Sequence, residues 1–398
     1  MDKQSTSVEK FDTLPHAKRS IPSNILCFSH LRWDFVFQRP QHLLTRFAKI
    51  FNVYFLEEPV FENIATPFLS KSTREENLWV LVPHLPEGLS QKEITDFQED
   101  LVSQFLKSQN LDDYAFWYYT PMALEYSRKL KPAMVIYDCM DELSAFKFAP
   151  TAIKTLEKEL FSRADIVFTG GYSLYEAKQH EHSNIFPFPS SIDKLHFEKA
   201  RTYKKAPKDQ ADISRPRIGF FGVIDERFDI DLIREIAEER PNWQFILIGP
   251  VVKIDPATLP QRENIHYKGS KTYLELPEYL SGWDIALIPF LLNESTRFIS
   301  PTKTPEYLAA GIPVISTPIK DVIRPYGEKE LVRIASTSKE FIAAIDEELS
   351  KPKEDWLVKV DEFLMLNSWD LTCSKMLHQI EVAFAKTRKK EKITISTI

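Results

Sequence analysis

Apolar residues in this chain gather into short uninterrupted blocks set at intervals. Residues 24–29 (NILCFS), 52–56 (NVYFL), 78–83 (LWVLVP), 114–119, 133–137 (AMVIY), 166–169 (IVFT) and 185–188 are such blocks. None shows the in–out alternation of a half-exposed strand, so each reads as a strand buried on both faces. The stretches between carry helical spacing instead. Leu43, Leu44, Phe47 and Ile50 fall on one face of residues 41–50, with Pro40 well placed to open a helix. Ile94, Phe97, Leu101 and Phe105 do the same over 91–108. Buried strands alternating with helices predict a parallel sheet covered on both faces.

The rhythm stops at residues 198–216 (EKARTYKKAPKDQADISRP), a charged stretch with two prolines. It then restarts. Strands are predicted at 217–221 (RIGFF), 244–248 (QFILI), 285–289 (IALIP) and 313–317 (PVIST), and helices at 229–240, 273–281, 303–310 and 338–349. The expected organisation is a flexible tail over 1–22, an α/β domain over 23–197, a linker over 198–216, a second α/β domain over 217–352, and a terminal segment over 353–398. Two doubly wound, Rossmann-like domains of this kind face each other across a cleft. The loops after the strand carboxyl ends line it.

Composition narrows the functional classes. The 398 residues are 43% hydrophobic and 12% aromatic, which suits two folded cores. The formal net charge of −6 argues against a nucleic-acid binder. Basic residues do cluster near the C-terminus (Lys386, Arg388, Lys389, Lys390, Lys392). They read as a solvated helix end, with weak contact to an acidic membrane surface as the alternative. Cys27, Cys139 and Cys373 are far apart, which fits a reducing compartment and no disulfide scaffold. The first twenty residues are polar and no run of 18 apolar residues occurs, so a soluble cytoplasmic protein is expected, peripheral to the inner membrane at most.

Candidate chemistry sits in the strand-end loops. After 217–221 come Gly222, which lets backbone approach a ligand, and Arg227, whose forked donors suit a diphosphate. The plain alternative is a glycine turn beside an exposed arginine. The loop over 293–302 runs into a helix, with Ser300 or Thr302 as its expected cap and Lys303 in its first turn. A cation there opposes the helix dipole, whereas a bound anion would explain it. Glu306 lies one turn on, where a carboxylate could accept from vicinal hydroxyls, and Gly311 ends the helix.

In the first half, Asp138 and Asp141 follow the strand at 133–137, as cleft acids or as helix caps. His30, Arg32, Trp33, Asp34 and Arg39 follow the first strand, as sugar contacts or as a packed helix start.

Other motifs carry little. Ser300–Lys303 matches S-x-x-K, but so do several other stretches, and its companion motifs are absent. Asp229 and Asp231 form a D-x-D that reads as a helix cap. No GxGxxG, P-loop, HExxH or GxSxG occurs, and the histidines show no metal-ligand spacing.

The run SPTKTPEYLAAGIPVIST (300–317) resembles the signature of retaining glycosyltransferases of the GT-B fold, family 4 and its relatives. Glu306, Gly311, Pro313 and Val314 match it. NIFPFPSSIDKLHF (184–197) is similar to that family's interdomain segment. HLRWDFVFQRPQHLL and YDCMDELSAF resemble the subgroup acting in teichuronic-acid and exopolysaccharide biosynthesis. The resemblance implies a nucleoside-diphosphate sugar of UDP or GDP type as donor and a glycan, lipid-linked or small-molecule acceptor. It implies a metal-independent reaction with retention and no further cofactor. It places the donor in the second domain, with Glu306 on the ribose and Arg227 and Lys303 on the diphosphate. It places the acceptor on the first domain, with Asp141 beside the reacting sugar. It also brings the helices after 353 back onto the first domain. The sequence departs from the signature at Phe298, where an acidic residue is usual, and at Val223, where an arginine is usual; Arg297 could substitute for the latter. A nucleotide-sugar epimerase and a non-catalytic partner of the same fold are the alternatives.

Overall fold

The computed structural model describes residues 21–396, with side chains up to Lys389. Residues 1–20 of the expected N-terminal tail, and Lys390 and Lys392 of the basic cluster, lie outside the described side chains.

The apolar blocks form two separate sheets. The first has nine strands: β1 (Asn24–Phe28), β2 (Asn52–Leu56), β3 (Val60–Glu62), β4 (Phe68–Glu75), β5 (Leu78–Pro86), β6 (Tyr114–Tyr118), β7 (Met134–Cys139), β8 (Ile166–Thr169) and β9 (Ile185–Pro187). Their order is β3-β5-β2-β1-β6-β7-β8-β9, every pair parallel, with β4 added antiparallel to β5. The second has six parallel strands: β10 (Arg217–Phe221), β11 (Gln244–Ile248), β12 (Ile265–Tyr267), β13 (Ile285–Ile288), β14 (Val314–Ser316) and β15 (Arg333–Ile334). Its order, β12-β11-β10-β13-β14-β15, reverses at β10. That is the doubly wound pattern, and it opens a crevice at the carboxyl ends of β10 and β13. The first sheet reverses at β1 and β6 in the same way.

Each face of the first sheet has its own core. Ile25 and Cys27 of β1 point into one, Leu26 and Phe28 into the other. Helix Trp369–Ser396 covers the first face with Trp369, Cys373, Met376, Ile380 and Phe384, so the end of the chain returns to the first half. The second half has one continuous core. No helix among the described residues is long and apolar enough to cross a membrane.

The structure moves two expected boundaries. The stretch 198–216 is not a free linker. Within it Ala200 lies in the core of the second half, beside Ile192 and Phe197 just upstream, and Ile213 packs against that core. Gln210 is fully buried, donating to the Tyr279 carbonyl and accepting from the Trp283 indole, both at 2.9 Å. Its charged residues mark an exposed face of packed chain, not a tether. The return crossing also comes later than residue 353, because Val360 and Leu364 of helix Glu354–Leu364 still pack into the second core. The two crossings run side by side, joined by Ser191 Oγ to Asn367 Oδ1 at 2.7 Å.

Strands β3, β4, β12 and β15 were not expected from the sequence. β4 (FLSKSTRE) is almost wholly exposed, so burial leaves no pattern in it, and the other three have two or three residues each.

Candidate functional site

A cavity of about 890 Å³ separates the two halves and is lined by their strand-end loops. Its second-half wall is built around a glycine. Gly222, directly after β10, has φ +136°, a conformation L side chains rarely adopt. A β-carbon there would lie 2.1 Å from Lys303 Cε, so the lysine side chain lies across the glycine. Its ammonium sits 5.7 and 5.8 Å from the ring centres of Phe220 and Phe290. Burial lowers the Lys303 pKa, and the nearby Glu306 opposes the shift.

Lys303 opens helix Lys303–Ala309 as expected, and Gly311, at φ +76°, follows its end. The expected cap is not made. Thr302 forms no capping bond, and Ser300 is tied instead to the crossing segment, its carbonyl accepting from Ser190 Oγ at 2.6 Å. Glu306 lies one turn beyond Lys303 and is only 4% exposed. Its Oε2 has no hydrogen-bond partner. Burial pushes this carboxyl up, against the pull of Lys303. A half-buried cation and a buried carboxylate with an unused acceptor therefore lie one helical turn apart on the cavity wall.

Arg227 also lines the cavity. Asp225 grips it through Nε and Nη2, the closer contact 2.6 Å, and its guanidinium lies 5.4 Å from the Phe146 ring of the opposite half. Part of its charge is therefore already offset. Asp141 faces it from the first half. Burial pushes the Asp141 pKa up to about 6, with Arg227 and Arg39 pulling the other way.

Several expected site residues are placed elsewhere. Asp138 is inside β7 and fully buried, held by Arg39 through Nε at 3.1 Å and Nη2 at 2.9 Å. It is a core ion pair and does not reach the cavity. Arg39 is among the lining residues but is buried and spends its guanidinium on Asp138 and the Phe188 carbonyl. Arg32 is turned away, bound to Glu57 and to the carbonyls of Glu58 and Pro59. His30 is half-buried, absent from the cavity lining, and pushed down to about 4 by burial and by Lys253. Arg297 is exposed over the Phe298 ring and does not line the cavity. Phe298, at the position of the usual acid, packs against the core of the first half. Trp33 and Asp34 do line the cavity. Trp33 is mostly core, edge-on to Phe55, and Asp34 pairs with Arg74. Asp229 caps its helix through the Leu232 amide, as expected of the D-x-D.

No pattern along the chain pointed to an aromatic stack in the cavity lining. Tyr273 is sandwiched between Phe37 of the first half, at 4.5 Å, and His196 of the short helix Lys194–Phe197, at 4.2 Å. Its hydroxyl is buried without a partner. Three distant segments meet here, and no local pattern links them. Among the described residues, no three His, Cys, Asp or Glu side chains converge to hold a metal ion.

The scaffold, and the sequence of its second half, are similar to those of known proteins. Residues 215–351 fit the family model described as "Glycosyl transferases group 1". The Bacillus subtilis (strain 168) protein TuaH, named provisionally as a teichuronic acid biosynthesis glycosyltransferase, is 27% identical over 225 residues. That match spans 53% of this chain and 57% of TuaH, little over half of each. Among solved structures, sucrose-phosphate synthase from Thermosynechococcus elongatus superposes with a TM-score of 0.70 at 13% identity, covering 92% of this chain and 100% of the other. The α,α-trehalose 6-phosphate synthase of Burkholderia multivorans gives 0.66 at 11% identity, covering 93% and 98%. Anabaena HepE, solved with UDP and glucose, gives 0.62 at 13%, covering 90% and 98%. At such identities these structures speak for the fold alone. Residues 215–351 thus match the group 1 glycosyltransferase model, and the whole chain has a GT-B-type scaffold of two Rossmann-like halves.

Proposed function

We propose that the protein transfers a sugar from a nucleoside-diphosphate sugar to an acceptor hydroxyl bound on the first half. The observation that carries this reading is the pair on the second-half wall: Glu306, buried with an unpartnered oxygen, beside the desolvated Lys303. A ribose offers two vicinal hydroxyls to such a carboxylate, and a diphosphate offers the charge that keeps such a lysine protonated. An unused buried acceptor is costly in the empty protein and favours a ligand that satisfies it.

In this reading the leaving diphosphate is held by Lys303 and, after some loosening from Asp225, by Arg227. The acceptor approaches past Asp141, Trp33 and Asp34. Ionised Asp141 accepts a hydrogen bond from a hydroxyl of the sugar or acceptor close to the reacting carbon. The two cations take the place of a divalent metal, so turnover in the presence of a chelator is expected. This reading includes retention at the anomeric carbon and a role in cell-surface polysaccharide assembly, with the likeness to the group 1 family and to TuaH as its support. UDP or GDP is the expected nucleotide, and a glycan or lipid-linked sugar the expected acceptor.

A second reading rests on Phe298 packing against the first half where related sequences place an acid. There the protein binds the nucleotide sugar without transferring it. Thermal-shift titration with nucleoside diphosphates, followed by a donor screen, tests both. Saturation at one hundred times Kd is expected to stabilise the protein by ~2.7 kcal/mol. Failure of every nucleoside diphosphate to shift the midpoint overturns the main reading. Binding without turnover of any donor selects the second.

A further inference from the structure

The loop that carries Asp141 is held on both sides of that residue by one short segment, residues 170–178. At the segment's start, Gly170 lies against Met140, the residue before Asp141. A β-carbon at Gly170 would come within 2.4 Å of the Met140 carbonyl oxygen, so only glycine allows this approach. At its end, Lys178 reaches Glu142, the residue after Asp141, at 2.7 Å, and Glu157 at the same distance. All three side chains are at most 15% exposed, and the Tyr137 hydroxyl donates to Glu157 at 2.8 Å.

The second half grips the same segment. Asp321, only 4% exposed, accepts from the Ser173 amide at 2.9 Å, in the first turn of helix Tyr172–Lys178. Gly171 makes room for it, since a β-carbon there would lie 2.1 Å from Asp321 Oδ2. On the outer face of the same helix, Glu176 pairs with Lys320 and, at 3.1 Å, with Arg324. None of Lys178, Glu142, Glu157, Glu176 or Asp321 lines the cavity.

We propose that segment 170–178 is a positioning device that holds Asp141 in register with the donor-binding half, with Lys178 and Asp321 as its positioning residues. The second half grips the segment through Asp321 and Glu176, and the segment grips the Asp141 loop through Gly170 and Lys178. The functional part of this inference rests on the reading of Asp141 given above. Displacement of a reacting group by about 1 Å costs on the order of a hundredfold in rate, so a device anchored by the buried Lys178 and Asp321 contacts is proportionate to the task.

The test uses the full chain and two variants, Asp321→Ala and the surface change Glu176→Gln. Amide hydrogen exchange is expected to quicken in residues 140–146 as well as in 171–176, more in Asp321→Ala than in Glu176→Gln. Quickening confined to 171–176 in both variants overturns the linkage. Kinetically, Asp321→Ala is expected to lower kcat about tenfold while the Kd for UDP changes less than twofold. A merely structural role would move both together or neither. Added to Asp141→Asn, Asp321→Ala is expected to cost nothing further, and an undiminished tenfold loss in the double variant also overturns the proposal. If Asp141→Asn by itself leaves kcat unchanged, the reading of Asp141 fails, while the exchange result still decides the linkage.

Discussion

Replacing Glu306 with Gln separates the ligand-binding reading from a structural one, because the two predict different signs. In the empty protein the carboxylate is 4% exposed, one oxygen has no partner, and burial raises its pKa. Glu306→Gln removes a desolvated charge there, so the unfolding midpoint is expected to hold or rise. With a nucleotide bound, an ionised carboxylate accepting two ribose hydroxyls makes bonds worth ~1.5–3 kcal/mol each. The amide keeps one acceptor and turns a donor toward the second hydroxyl. A loss of ~2–3 kcal/mol follows, or roughly 30- to 150-fold in Kd. Lys303 also loses the neighbour that favours its charged form, which weakens diphosphate binding further. Calorimetric titration with UDP and 2′-deoxy-UDP isolates the ribose contribution. The native protein is expected to prefer UDP, and the variant to show a clearly smaller preference. An unchanged UDP affinity, or an equal preference for the 2′-hydroxyl in both proteins, would refute the assignment. A fall in stability without a change in affinity would make Glu306 a structural residue.

Two further outcomes follow from the geometry. The pKa of Asp141 is raised to about 6, so its ionised form is lost as pH falls through that value. kcat/KM is accordingly expected to drop tenfold per pH unit below ~6, and this limb should vanish in Asp141→Asn, which retains only a small pH-independent rate. A pH profile unchanged by the substitution would remove Asp141 from the reaction. Breaking the buried Arg39–Asp138 pair with Arg39→Met is expected to destabilise the first half by ~3–5 kcal/mol, measured by urea unfolding, because it strands a carboxylate in the core. Loss of less than 1 kcal/mol would mean that water reaches Asp138.

Much of this architecture is legible along the chain. Strands buried on both faces are apolar along most of their length, so β2, β8, β10 and β11 coincide with the expected blocks to the residue. The helix from Lys303 to its stop at Gly311 is written in the same local terms. An exposed edge strand such as β4 leaves no such trace, and the charged stretch 198–216 misleads because one buried face is enough to dock it.

What the sequence determined by itself was local: the order of strands and helices, two halves of similar build, and a cation and a carboxylate one helical turn apart at 303 and 306. A periodic pattern encodes these because they depend on neighbours within a few residues. The tertiary structure alone decided which polar groups are spent and which remain free. Arg39 lies 99 residues from Asp138 and consumes it, Arg32 is drawn off by Glu57, and Asp321 crosses 148 residues to hold Ser173. An isolated aspartate reads the same in sequence whether it faces a cavity or a buried guanidinium. Its protonation and its use depend on desolvation and on partners that only the folded chain brings near.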